Sequence, residues 1–173
     1  MIKYARLQML FHWLTVMLLV IAYATIELKW LADRGTWQRN VVMITHFSAG
    51  VCVLLMMFTR VFLRTRHRTP PVVPPLKHWQ TGLSHLVHTL LYALFIVLPV
   101  LGVSSRYLRG RDWSLFGLNM PVSAVSNPEL ASTLIDWHET LAPLGYWLIG
   151  LHAVAALFHH YVMKDNTLRR MMP

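Results

Sequence analysis

Ten histidines in 173 residues is a high density, and imidazole is the side chain that both binds transition metals through a neutral nitrogen and moves protons near neutral pH. Four of them, His12, His46, His138 and His152, lie in long apolar stretches, where an unpaired imidazole is costly and marks a functional position. For any one taken alone, the alternative is a neutral ring bonded to a backbone carbonyl or a water in the protein interior. His138 and His152 are 14 residues apart. On a helix that separation is about 3.9 turns and roughly 21 Å of rise, so the two rings share nearly one face at two depths. His85, His88, His159 and His160 form a second group, suited to delivering protons to a reduced substrate.

The elements that must position these residues follow from hydropathy. The chain is 55% hydrophobic and only 13% charged, more apolar than a soluble domain of this length. A membrane-spanning helix needs roughly 20 mostly apolar residues, and four such windows can be drawn, over about residues 7–28, 40–63, 82–107 and 132–161. The expected architecture is all-α, a four-helix transmembrane bundle forming one domain over 1–173, because the connectors are too short to bury a core of their own. Lys3 and Arg6 precede a first window that contains Ala22-Tyr23-Ala24, a pattern like a signal-peptide cleavage site. The apolar stretch is long for a signal and is read as a span. Cys52 is the single cysteine, so no intrachain disulfide, CxxC metal site or covalent haem attachment is available.

On those spans, His12 lies about five residues in from one membrane face and His46 about six residues in from the other. His138 and His152 fall at matching depths on the fourth span. Pairing by depth sets His12 against His152 and His46 against His138. An iron porphyrin takes two axial ligands from opposite sides of its plane, and imidazole is a good one. The core between facing helices can admit the macrocycle. A zinc site would instead gather roughly four ligands at one point, whereas these residues divide between two levels. His85 or His88 lies near the depth of His12 and is an alternative ligand to it. Gly50, Gly102, Gly145 and Gly150 suit either a ring cavity or plain helix packing. Trp13, Trp30, Trp37, Trp79, Trp113, Trp137 and Trp147 lie mostly near span ends, as an interfacial belt does.

The net charge of +9 does not point to nucleic acid, because the basic residues are divided among loops between apolar spans and form no contiguous patch. By the four spans, ten Lys and Arg fall on the side holding both termini and the middle loop, and six fall on the other. Positive charge is retained in the cytoplasm, so both termini are expected there. Six of the seven acids fall on the outer side. The Pro-rich stretch 69–75 cannot propagate a helix and reads as an extended cytoplasmic strap. The outer loop 109–128 is long enough to cap the bundle, and Pro99 implies a local kink in the third span.

Several segments carry a family resemblance: Leu7-Gln8 with Phe11-His12-Trp13, Gly82-Leu83-Ser84-His85-Leu86-Val87-His88, Trp137-His138-Glu139-Thr140-Leu141-Ala142 with Gly145-Tyr146, and His159-His160-Tyr161 with Lys164-Asp165-Asn166-Thr167-Leu168. In this order, on four spans and end to end, they resemble the prokaryotic cytochrome b561 family. The resemblance implies two non-covalent haem b groups, one held by His12 and His152 and the other by His46 and His138. It also implies either a stand-alone superoxide oxidase that passes electrons from periplasmic superoxide to ubiquinone, or an electron-relay subunit serving a dehydrogenase or other redox protein partner. The chain looks closest to the stand-alone branch. On that reading the outer basic residues, Arg106, Arg109 and Lys29 foremost, attract superoxide or else bind haem propionates and membrane lipid head groups. His159, His88 or His85 would supply protons to the quinone. A histidine-lined transporter without haem is the remaining class.

Overall fold

The computed structural model describes residues 3–173. Four helices run in sequence: α1 Arg6–Glu27, α2 Trp37–Arg66, α3 His78–Leu108 and α4 Pro128–Tyr161. All four are long and apolar enough to cross a membrane. α1 passes through Ala22–Ala24 without interruption and ends in a short 3-10 turn, Leu28–Leu31.

Each helix begins before its apolar window because polar side chains satisfy the first backbone donors. Thr36 Oγ1 accepts from the Arg39 N–H at 3.3 Å. Asn127 Oδ1 accepts from the Leu130 N–H at 3.0 Å, and Pro128, which has no N–H to leave unpaired, fills the next position. Gln8 and Gln80 reach back to the N–H groups of Ala5 and Lys77, at 3.3 and 2.9 Å. α3 continues through the buried Pro99, and α4 through Pro143, as helix on both sides.

α1 packs on α2, α2 on α3 and α3 on α4, whereas no Cα of α4 comes within 8 Å of any in α1 or α2 among the described residues. A plug of Val53 and Met57 from α2 with Leu94, Phe95 and Leu98 from α3 fills the middle of the bundle. Most other apolar side chains, such as Met17, Val20, Leu55 and Val154, face outward, as helices bathed in lipid require. The tryptophans follow the belt expectation with two departures. Trp30, Trp37 and Trp79 are exposed at helix ends, but Trp113 is buried and Trp147 is exposed near the middle of α4.

The connectors gather at the two ends of the bundle. At one end, β1 Ser114–Leu115 pairs antiparallel with β2 Leu118–Asn119, around a turn in which Phe116 and Gly117 both have positive φ, the geometry a two-residue hairpin needs. The Phe116 N–H donates to Ser48 Oγ of α2 at 2.8 Å, which seats this hairpin on the bundle. At the other end, the strap 67–77 is tied to the C-terminal tail. The Val73 N–H donates to Asn166 Oδ1 at 2.9 Å, and the Asn166 N–H to the Val73 carbonyl at 3.2 Å. The Tyr4 N–H donates to the Arg170 carbonyl at 3.1 Å, so both termini meet at that end.

Candidate haem sites between α4 and its neighbours

The heptad His138, Gly145, His152, His159 lays three imidazoles and one gap along nearly one face of α4. Toward the hairpin end, His138 faces His46 of α2, with ring centres 6.3 Å apart and planes at 83°. Toward the terminal end, His152 faces His12 of α1 at 6.2 Å and 68°. Two imidazoles bound through one metal, with metal–nitrogen bonds of about 2.0 Å, hold their ring centres roughly 6 Å apart. Both pairs have that spacing, and each bridges helices whose backbones stay apart.

The hairpin-end pair is prepared for ligation in a second respect. His46 Nδ1 donates to the Ala22 carbonyl at 2.9 Å, and His138 Nδ1 donates to the Leu98 carbonyl at 2.7 Å. A carbonyl can only accept, so each ring carries its proton on Nδ1 and leaves Nε2 bare for a metal. Beside the pair lies an open cleft lined by Gly50, Pro99, Gly102, Arg106 and Trp113, among others. A Cβ on Gly50 would meet nothing within 4 Å, and one on Gly102 would touch the His138 ring. An apolar cleft beside two imidazoles with free Nε2 atoms fits a porphyrin edge. Arg106 is the cation in the cleft wall, stacked 4.5 Å over the Phe47 ring. Arg109 and Lys29 are half-buried at the same end but do not line the cleft.

The terminal-end site is a trio. His88 of α3 stands 5.1 Å from His152, closer than two ligands across one metal, so the spacing favours His12 as the partner of His152. His88 Nδ1 donates to the Ser84 carbonyl at 2.6 Å. His12 differs from the other three, for its Nδ1 faces the Arg60 guanidinium at 3.1 Å, a group with donors only. Arg60 also lies 5.4 Å over the Tyr92 ring. Sequence alone does not single out Arg60, which reads as one more basic residue near a span end. His85, one turn before His88, is exposed on α3.

Between the two levels, the Tyr23 ring packs 4.5 Å from Tyr146 and edge-on to Phe95, and its hydroxyl donates to the Ala142 carbonyl at 2.8 Å. Gly145 is what admits it, because a Cβ there would run into the Tyr23 hydroxyl. At the terminal end, His159 Nδ1 donates to Asp165 Oδ2 at 2.6 Å, the one ion-pair geometry among the described residues. Asp165 is the lone acid on its side of the bundle, a signal present in the sequence that the charge count passed over. The three buried side-chain atoms without a hydrogen-bond partner among the described residues, His160 Nδ1, Thr167 Oγ1 and Arg170 Nε, all lie at this end as well. Among the described residues, no group of three or more His, Cys, Asp or Glu is arranged to hold a bare metal ion.

A family model described as prokaryotic cytochrome b561 matches residues 3–173. The chain is 48% identical over 173 residues to a protein of Yersinia pestis named probable superoxide oxidase CybB, a match covering 99% of this chain and 96% of that one. It is 39% identical over 171 residues to cytochrome b561 homolog 1 of Escherichia coli strain K12, covering 99% and 97%. It is 30% identical over 175 residues to a cytochrome b562 of Cereibacter sphaeroides, covering 98% and 94%.

Proposed function

The chain belongs to the prokaryotic cytochrome b561 family, haem b electron carriers of the bacterial inner membrane, and on that premise we propose that it oxidises superoxide on the periplasmic side and reduces ubiquinone at the cytoplasmic end of its bundle. Haem b supplies, when bound, the reversible one-electron chemistry that the polypeptide lacks. His46 and His138 hold one such group at the hairpin end, and His12 and His152 hold a second at the terminal end. The observation that carries this reading is the pair of facing imidazoles at each of two levels, 6.3 and 6.2 Å between ring centres.

The protein's own residues do the remaining work. The Nδ1 bonds to Ala22 and Leu98 fix the rings and raise the basicity of Nε2. Arg106 puts a positive charge in the wall of the hairpin-end cleft, where it draws a small anion such as superoxide. The name of the Yersinia pestis relative supports that substrate. At the terminal end, His159 and His88 supply protons to the quinone on this reading. With both termini cytoplasmic, those protons come from inside the cell.

The test uses purified protein in liposomes loaded with ubiquinone. Reduced-minus-oxidised absorption should show b-type bands for two haems per chain. Added superoxide should reduce them faster than it dismutates spontaneously, with ubiquinol accumulating. Haem bands without reduction by superoxide would overturn the substrate and leave relay to a redox protein partner. Absence of haem would overturn the reading altogether.

A further inference from the structure

His159 stands seven residues beyond His152 on α4, about two turns and roughly 10 Å further toward the terminal end on nearly the same face. Beyond Tyr161 the helix stops and the chain reverses. Lys164 takes a left-handed conformation, φ 54°, and the Asp165 N–H reaches back to the His159 carbonyl at 3.1 Å. The reversal brings the Asp165 carboxylate to the imidazole. Oδ2 accepts from His159 Nδ1 at 2.6 Å, and Oδ1 accepts from the Thr167 N–H at 2.8 Å. The Asp165 side chain is 2% exposed and that of His159 16%, so water competes little for either bond.

We infer that Asp165 is the positioning residue that makes His159 a proton donor through one atom, Nε2. A carboxylate accepts and does not donate, so Nδ1 of His159 keeps its hydrogen in both protonation states. The proton that comes and goes is therefore on Nε2, and the neighbouring negative charge stabilises the imidazolium that carries it. The inference rests on the quinone reading above. As electrons arrive, an O–H bond forms at a quinone carbonyl oxygen while the Nε2–H bond of the imidazolium breaks. Neutral His159 retains Nδ1–H on Asp165 and takes a new proton from water at that end. Two superoxide ions give up one electron each and leave as dioxygen. With a second proton from water, the two electrons complete the quinol.

The experiment measures ubiquinone reduction by the haem-loaded protein in liposomes for D165N, D165E, H159Q and N166A, with haem spectra and midpoint potentials recorded for each. D165N should lower kcat by about tenfold or more, toward the roughly 10²–10⁴-fold that losing an acid catalyst costs, with KM for quinone within about twofold and both haem potentials unchanged. D165E keeps the charge one methylene further out and should recover part of kcat. It also carries the test if D165N fails to hold haem. N166A removes the side-chain bond from the tail to the strap without touching the pair and should turn over as wild type. Wild-type kcat in D165N, or an equal loss in N166A, would overturn the inference while leaving the quinone reading standing. Wild-type turnover in H159Q with intact haems would overturn the quinone role of this end itself.

Discussion

At the scale of single residues, the four imidazoles were legible because depth on an apolar span is a property of sequence position, and a 14-residue spacing fixes a shared face. Their hydrogen-bond partners were not legible. That the Ala22 and Leu98 carbonyls receive His46 and His138 depends on how neighbouring helices lie against one another, which no local pattern encodes. On the two-haem reading proposed above, His46→Ala and His138→Ala should each reduce haem from two per chain to one while sparing the terminal-end group, since each removes one of the two ligands proposed for the hairpin-end group. Haem extraction and quantitation against protein checks this, and two haems retained in either variant would show the pairing to be wrong. Gly145 tests the middle of the bundle in the same way. Gly145→Ala places a methyl against the Tyr23 hydroxyl and within 3.3 Å of Phe95, an overpacking that costs about 1–3 kcal/mol. Tyr23→Phe in the same chain removes the colliding oxygen and should recover most of the loss, at about 1 kcal/mol for the missing bond to Ala142. Thermal unfolding in detergent reads both, and an undiminished Gly145→Ala protein would show that Tyr23 is free to move aside.

At the scale of elements, hydropathy found all four helices but drew three of them short, beginning at 40, 82 and 132 where the helices begin at Trp37, His78 and Pro128. Hydropathy registers what enters the lipid, whereas a helix extends as far as its end groups are capped, and Thr36, Gln80 and Asn127 add polar turns outside the apolar windows. The expected strap and outer cap are both present. Their anchors, Ser48 under the hairpin and Asn166 under the strap, bond to backbone groups 68 and 93 residues away in the chain, partners that no local pattern encodes. The tail after α4 has a pH signature of its own. Burial pushes the Asp165 carboxyl up, but the Thr167 N–H and the His159 imidazole outweigh it and hold that group below its ordinary value. A depressed native pKa means the unfolded tail binds more protons than the folded one, so the stabilisation is complete above the unfolded value, about 3.9, and fades as pH falls through the native one. A spin label at Met172→Cys should stay immobile from neutral pH to about 4 and loosen below it. In D165N it should show no such acid transition, and an identical acid transition in D165N would assign the effect to another group.

At the scale of the whole molecule, the two ends of the bundle differ in charge and in equipment, and their chemistry depends on which side of the membrane each one faces. The terminal end carries ten of the sixteen Lys and Arg and one acid, Asp165, and that acid is buried against His159. Its exposed charge is therefore almost wholly positive. The hairpin end mixes six basic residues with six acids. Short connectors rich in Lys and Arg stay in the cytoplasm, and acids count for little in that choice, so the terminal end should face inward. A fluorescent protein fused after Pro173 should then fold and fluoresce in the cytoplasm. Alkaline phosphatase inserted beside Val125, which is 81% exposed in the hairpin-end loop, should be active in the periplasm. The reverse result would do more than turn the topology over. It would put the His159–Asp165 pair in the periplasm and the Arg106 cleft in the cytoplasm, so that superoxide would be met inside the cell and the protons for quinol drawn from outside it.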